Sequence, residues 1–428
     1  MTLGARADQS ATPLVARTVA VPAERIGAAV DSLVELLPEA DPVAWLRRGD
    51  GLVGWGVAAA LRASGPDRFA EADTWWSATA ARAVVRDDVE APGTGLVCFG
   101  SFAFADQPGT STLVVPEVVV GRRGDVAWVT TVSAWLDRLD GLDDVLTAAT
   151  PLRPPVGVRF ADGHLNGEAW MSVVADAVAR IGAGALEKVV LARDLVATTD
   201  EPVDVRWPLR RLAESYPTCW TFHVDGFFGA TPELLVRRER GLVTSRVLAG
   251  TIRRTGDDGR DLALAATLAR SSKDLEEHEY AVRSVAEALE PHCGSMNVPE
   301  APFVLHLPNV MHLATDLAGV VHDADTASSL ALAASLHPSA AVGGTPSGTA
   351  TALITELEGM PRGRFAGPVG WMAADGDGEW GIGLRSAQVE GSAVRLYAGC
   401  GIVADSDPEA ELAESQAKFV PVRDSLGC

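Results

Sequence analysis

At 428 residues, 47% hydrophobic and 22% charged, the chain has room for two or three domains of ~100–200 residues or one large α/β body, and it is too apolar to be disordered. A net charge of −21 excludes nucleic acid and anionic membrane as partners, because the field of the whole molecule would repel either. Five scattered cysteines (Cys98, Cys219, Cys293, Cys400, Cys428), no apolar leader and no apolar run near the ~20 residues a bilayer needs predict a reduced, cytoplasmic protein.

In chain order, residues 1–155 carry helical patches near 28–37 and 134–148, and short β-like runs at 113–121 and 126–132. Trp45, Trp55, Trp75 and Trp76 read as core. The proline-rich PLRPPVG at 151–157 reads as a linker. Beyond it, Trp170, Val173, Val174, Ala177, Val178 and Ile181 share one helix face that ends near Gly182–Gly184. KVVLARDLVA (188–197) reads as a strand, and 221–254 as successive strands joined by tight turns. Helices follow at 260–270 and 273–289, the second opened by Ser271 with Asp274 at capping-box spacing. Residues 369–387 read as a hairpin turning at Asp375–Gly378. Ser406, Pro408 and Glu409 open a final helix reaching about residue 420. Hairpin-linked strands with helices outside give an α+β class.

Of the 36 basic residues only three are lysines, Lys188, Lys273 and Lys418. Arginine stays protonated, whereas a desolvated lysine can lose its proton, so a retained amine is a candidate for proton transfer or a compact point charge; the alternative is an ordinary surface lysine. Asp274 with Glu277, and Glu411 with Glu414 and Lys418, each share a helix face. Two such carboxylate pairs can hold a hard cation such as Mg²⁺, or they can be solvated faces with Lys273–Glu277 and Glu414–Lys418 as i, i+4 pairs. Glycines including Gly399 and Gly401 cluster around Arg385, which could fork onto a carboxylate. HPSAAVGGTPSG (337–348), with Ala341 and Gly344, is a turn that could offer amides to an anion. Glu233 after Pro232 is an acid in an apolar setting, either a general acid of raised pKa or a strand-edge residue facing solvent. No zinc spacing, P-loop or well-placed dinucleotide fingerprint is present.

Taken in order, KVVLAR, FFGATPELL, AGT (249–251), KDLEEHE, MHLATDL, HPSAAVGGTP, PRGRFAGPVGW, GDGEWGIGLRSA, LYAGCGIVADSDPEAELAES and AKF resemble the chorismate-utilising enzymes, over about residues 160–425. That family includes isochorismate synthase, salicylate synthase and the large subunit of anthranilate synthase. The resemblance implies an anthranilate synthase component I-like fold, with large antiparallel sheets of two similar halves and helices outside. Residues 1–155 would be its N-terminal half and 156–428 its chorismate-binding catalytic region. It implies Mg²⁺ on Glu277 and Glu414, with Asp274 and Glu411 supporting them, and chorismate as the small-molecule partner of a monomer or weak homodimer. Arg385, Gly399, Gly401 and Lys418 would hold the substrate, Thr251 would line the pocket, and His312 would lie near the leaving hydroxyl or enolpyruvyl side. Lys188 would act as a neutral base on water and Glu233 as the acid for the 4-hydroxyl. Lys188 sets aside the ammonia-using anthranilate branch, and Ala341, where salicylate synthases tend to carry Thr, favours stopping at isochorismate. Phe365 stands where many relatives have Tyr, and Lys273 would support the metal helix. Menaquinone or siderophore supply is the implied purpose. The alternatives are a salicylate-forming lyase and a non-catalytic binding subunit.

Overall fold

The computed structural model describes residues 13–134, 150–322 and 327–427; the expected helix at 134–148 falls almost wholly outside them. Two large sheets, of 13 and 10 strands, form the body. Among the described residues every strand pair is antiparallel except Val15–Pro22 with Val84–Asp87. Strands from before residue 155 complete both sheets: Val43–Arg47 pairs with Trp220–Val224, and Val97–Ser101 pairs with Pro368–Ala373. Inward-pointing Trp45, Phe99, Trp128, Trp220, Phe222 and Trp371 pack into one cluster that draws on both sheets. Trp45 and Trp76 are buried as expected of core residues, whereas Trp55 and Trp75 are only half-buried. Among the described residues no helix is long and apolar enough to cross a membrane.

The strand Lys188–Thr198 is buried along most of its length, which its nearly unbroken apolar run anticipates. It lies between Arg159–Asp162 and Ala393–Ile402. The 221–254 region forms Trp220–Val224, Phe227–Thr231, Leu234–Glu239 and Leu242–Arg253, and the hairpin at 375–378 joins Pro368–Ala373 to Gly378–Ile382. Helix Ser272–Leu289 is capped by Ser271, whose hydroxyl accepts from the Asp274 N–H, and it buries Ala281, Val285 and Leu289.

Three element boundaries differ from the sequence reading. The patch at 28–37 is a helix Ala23–Ala29 followed by a 3₁₀ turn Leu33–Leu36, because Ser32 accepts from the Val34 N–H and restarts the chain. The last helix, Pro408–Leu426, is capped by Asp407 rather than Ser406; Ser406 instead gives its hydroxyl to Glu411 Oε1 at 2.8 Å. That helix runs past Pro421 because Val422 and Leu426 beyond it are fully buried. Burying two such side chains is worth about 1.5–3 kcal/mol each, against about 3 kcal/mol for an internal proline.

Candidate active site

A cavity of about 320 Å³ opens between the two sheets, floored by strands and walled by helices Ser272–Leu289 and Pro408–Leu426. Lys188, Glu233, Thr251, Asp274, Glu277, His312, Ala341, Arg385, Gly399, Gly401, Glu411, Glu414 and Lys418 all line it. Gly344 does not. It pairs with Val189 in the sheet, and a Cβ there would meet the Lys188 carbonyl oxygen at 2.2 Å. Its role is to let the turn pass close behind the Lys188 strand, a correction to its expected place among substrate contacts.

The chain geometry aims these groups. Gly250 has φ +76 and forms a bulge in the Leu242–Arg253 strand, which shifts the register so that Thr251 stands opposite His312. His312 Nε2 accepts from Arg385 at 3.2 Å, so the ring's one proton sits on Nδ1, 3.1 Å from Thr251 Oγ1. Burial, with Arg385 and Lys418 beside it, holds His312 well below its ordinary pKa and therefore neutral. Arg385 itself occupies φ +49, a strained backbone position of a kind concentrated at functional sites, and its buried second terminal nitrogen has no hydrogen-bond partner. That orphaned donor suits a carboxylate oxygen.

Glu233 is 4% exposed, which rules out the solvent-facing reading. Burial raises its pKa to about 8, although the Leu248 N–H, Lys188, Lys418 and Arg385 all pull the other way. It is thus a protonated acid at neutral pH. Lys188 is 3% exposed, and its Nζ lies 2.8 Å from Glu277 Oε1. The expected neutral amine is therefore seen here as half of an ion pair with a carboxylate from the facing helix. Lys418 Nζ lies 2.6 Å from Glu414 Oε1 and donates to the Gly399 carbonyl at 2.9 Å. Burial disfavours its charge, but Glu414 outweighs that and holds the Lys418 pKa above its ordinary value. The i, i+4 pair and the cavity-lining role thus coincide in these two residues. The Lys273 side chain lies outside the described residues.

Carboxylates reach the cavity from two helices: Asp274 and Glu277 from one, Glu411 and Glu414 from the other. Glu411 and Glu414 lie with Cys400 in a group whose potential ligand atoms are all within 4.8 Å of one another. Burial holds the Cys400 thiol well above its ordinary pKa, so it stays a thiol and the donor set is one of hard oxygens. A side chain at Gly401 would meet Glu277 Oε1 at 2.7 Å and Lys188 Cε at 3.1 Å, so glycine there leaves both side chains where they stand. The Glu411 and Glu414 oxygens fit a small hard cation such as Mg²⁺, and Asp274 and Glu277 line the same cavity.

Several lining residues escaped the sequence reading. Leu248 supplies the N–H that reaches Glu233 at 3.4 Å, yet a backbone donor leaves no trace in residue type. Phe365 stacks on Tyr397 with centroids 5.3 Å apart, so a phenol stands near the place where Phe365 lacks one. Arg362 also lines the cavity; one arginine among many gives no signal until its partners are known.

A protonated acid, a buried amine, a forked cation with a spare donor and four carboxylates in one cavity define an enzyme acting on a small anionic molecule. The chain belongs to the family described as chorismate binding enzyme, whose model matches residues 43–427. The isochorismate synthase MenF of Bacillus subtilis is 31% identical over 387 residues, covering 84% of this chain and 82% of that protein. The menaquinone-specific isochorismate synthase MenF of Escherichia coli has a solved structure that matches with a TM-score of 0.78 at 26% identity, over 97% of this chain and 95% of that one. Component I of anthranilate synthase from Streptococcus pneumoniae matches at 20% identity with a TM-score of 0.69, over 87% of this chain and 91% of that one. That match shares the fold alone, and the α+β class with large antiparallel sheets is the one the sequence implied.

Proposed function

We propose that this protein is an isochorismate synthase, a hydroxymutase that converts chorismate to isochorismate with Mg²⁺. The observation that carries the reading is the pairing of a protonated, buried Glu233 with a buried lysine in a cavity that also holds four carboxylates. Lys188, as the free amine rather than the ammonium half of its pair with Glu277, takes a proton from water as the water oxygen bonds to ring carbon 2. Both ring double bonds shift by one position, the bond from carbon 4 to its hydroxyl breaks, and Glu233 gives its proton to the departing oxygen, so one water enters and one leaves. Arg385, through its spare donor, grips a substrate carboxylate, and neutral His312 with Thr251 holds Arg385 in place. Glu277 and Glu414, with Asp274 and Glu411, would hold the cation. When bound, the cation would neutralise a substrate carboxylate and take over from Lys188 as the counter-charge of Glu277.

Chromatography of products from chorismate with Mg²⁺, with and without excess EDTA, tests this. Metal-dependent isochorismate in a mixture with chorismate is the expected result. Salicylate with stoichiometric pyruvate would overturn it in favour of a lyase, and no turnover would do so in favour of a binding subunit.

A further inference from the structure

One wall of the cavity rests on a buried ion pair that the reaction does not use. Glu358, 1% exposed, ends helix Ser347–Glu358, and Arg362, 4% exposed, follows one turn later. Glu358 Oε1 accepts the Ala192 N–H at 2.7 Å. Arg362 donates to both Glu358 oxygens, to the Val190 carbonyl at 2.6 Å and to the Val342 carbonyl at 3.0 Å. Its guanidinium also stacks on Phe104, 4.3 Å from the ring centroid. All three guanidinium nitrogens thus have protein acceptors, so Arg362 lines the cavity without reaching for a ligand.

The acceptors are informative. Val190 is two residues from Lys188 and on the same face of the strand, and Val342 adjoins Ala341. One guanidinium therefore ties the strand carrying the amine to the turn carrying Ala341. A buried ion pair is weak evidence of stabilisation, since desolvation offsets its attraction, but it fixes geometry through directed bonds. We propose that Glu358 and Arg362 are positioning residues that set where Lys188 and Ala341 stand relative to each other across the cavity. This inference rests on the reading of Lys188 as the base.

The test uses the full-length protein with Glu358→Gln, which keeps an acceptor for Ala192 but loses the charge. Arg362→Lys keeps the charge but cannot reach all three partners. Misplacing a catalytic group by about 1 Å can cost about 100-fold. The expected result for both is a kcat lowered at least about tenfold, with KM for chorismate within about threefold and Mg²⁺ affinity by calorimetry within about twofold of the parent. Phe104→Leu, which loosens the guanidinium without removing an acceptor, should lower kcat less, by about two- to fivefold, and it carries the kinetic test if the other two do not fold. Hydrogen exchange gives a readout independent of turnover: protection should fall at 188–193 and 339–343 and hold elsewhere. Unchanged kcat, a loss confined to KM, or protection lost throughout both sheets would overturn the proposal. A parent enzyme inactive on chorismate would instead defeat the functional reading, and the exchange pattern would still decide the positioning claim.

Discussion

Glu233→Gln gives the sharpest prediction, because one buried group governs both stability and rate. The pKa of Glu233 rises from an ordinary 4.5 to about 8 on folding. The sign follows from linkage: between pH 4.5 and 8 the folded state keeps a proton that the unfolded state releases. Folding stability therefore falls as pH rises through that window, with no penalty from this group below about 4.5 and a constant one above about 8. Each pH step of one costs 1.36 kcal/mol, so at pH 7 the penalty is about 3 kcal/mol. For a chain of 428 residues this corresponds to a Tm lower by about 3–4 °C. Glu233→Gln removes the ionisation and should raise Tm relative to the parent by about that amount at pH 7, while giving no gain at pH 4.5. Removing the acid should also lower kcat by about 100- to 10,000-fold and abolish the fall in kcat/KM near pH 8. Thermal melts across pH 4.5–9 and pH–rate profiles of both proteins check this. A Tm difference that does not change with pH, or an alkaline limb that survives in Glu233→Gln, would refute the assignment.

Lys188→Gln should abolish product formation while leaving Mg²⁺ and chorismate binding by calorimetry within about threefold of the parent; lost substrate binding would count against its role as base. Glu277→Gln and Glu414→Gln should each weaken Mg²⁺ binding by about tenfold or more, and unchanged metal titrations would sink the ligand assignment. Ala341→Thr should divert part of the product to salicylate with pyruvate, read by a coupled pyruvate assay; pure isochorismate would show that residue 341 does not set the branch.

The parts of the site that sequence made legible are those where residue type is itself unusual. Three lysines in an arginine-rich chain led to Lys188 and Lys418, and carboxylates at i, i+3 on two helices led to the four cavity acids. What sequence could not supply was the pairing across the fold. Lys188 and Glu277 lie 89 positions apart and meet only because the Lys188–Thr198 strand faces helix Ser272–Leu289. Local spacing instead offered Lys273 as the partner of Glu277. Likewise Gly344, read as a ligand contact, serves the close passage of two backbone segments, a requirement that glycine meets for either purpose. Arg362 and Glu358 went unread because a buried pair four residues apart looks like any exposed i, i+4 pair until burial is known.

Arg362 is matched by Glu358 outside the lining, His312 is neutral, and Glu233 holds its proton below about pH 8. That leaves Lys188, Arg385 and Lys418 against Asp274, Glu277, Glu411 and Glu414: three positive and four negative, a net of −1. A dicarboxylate substrate entering that cavity on a chain of −21 meets repulsion at both ranges. With a divalent cation held by the carboxylates and Lys188 as the free amine its role as base requires, the net becomes 0, and that local repulsion is lifted. Chorismate affinity should therefore depend on Mg²⁺ well beyond what a single shared ligand would give. Above pH 8 the ionisation of Glu233 makes the net −1, so KM should rise over the same pH range in which the acid is lost. A Glu233→Gln enzyme should lose that rise in KM as well as the fall in rate. If KM in the parent stays flat through pH 9 while kcat falls, Glu233 acts as an acid but does not shape the field that draws the substrate in.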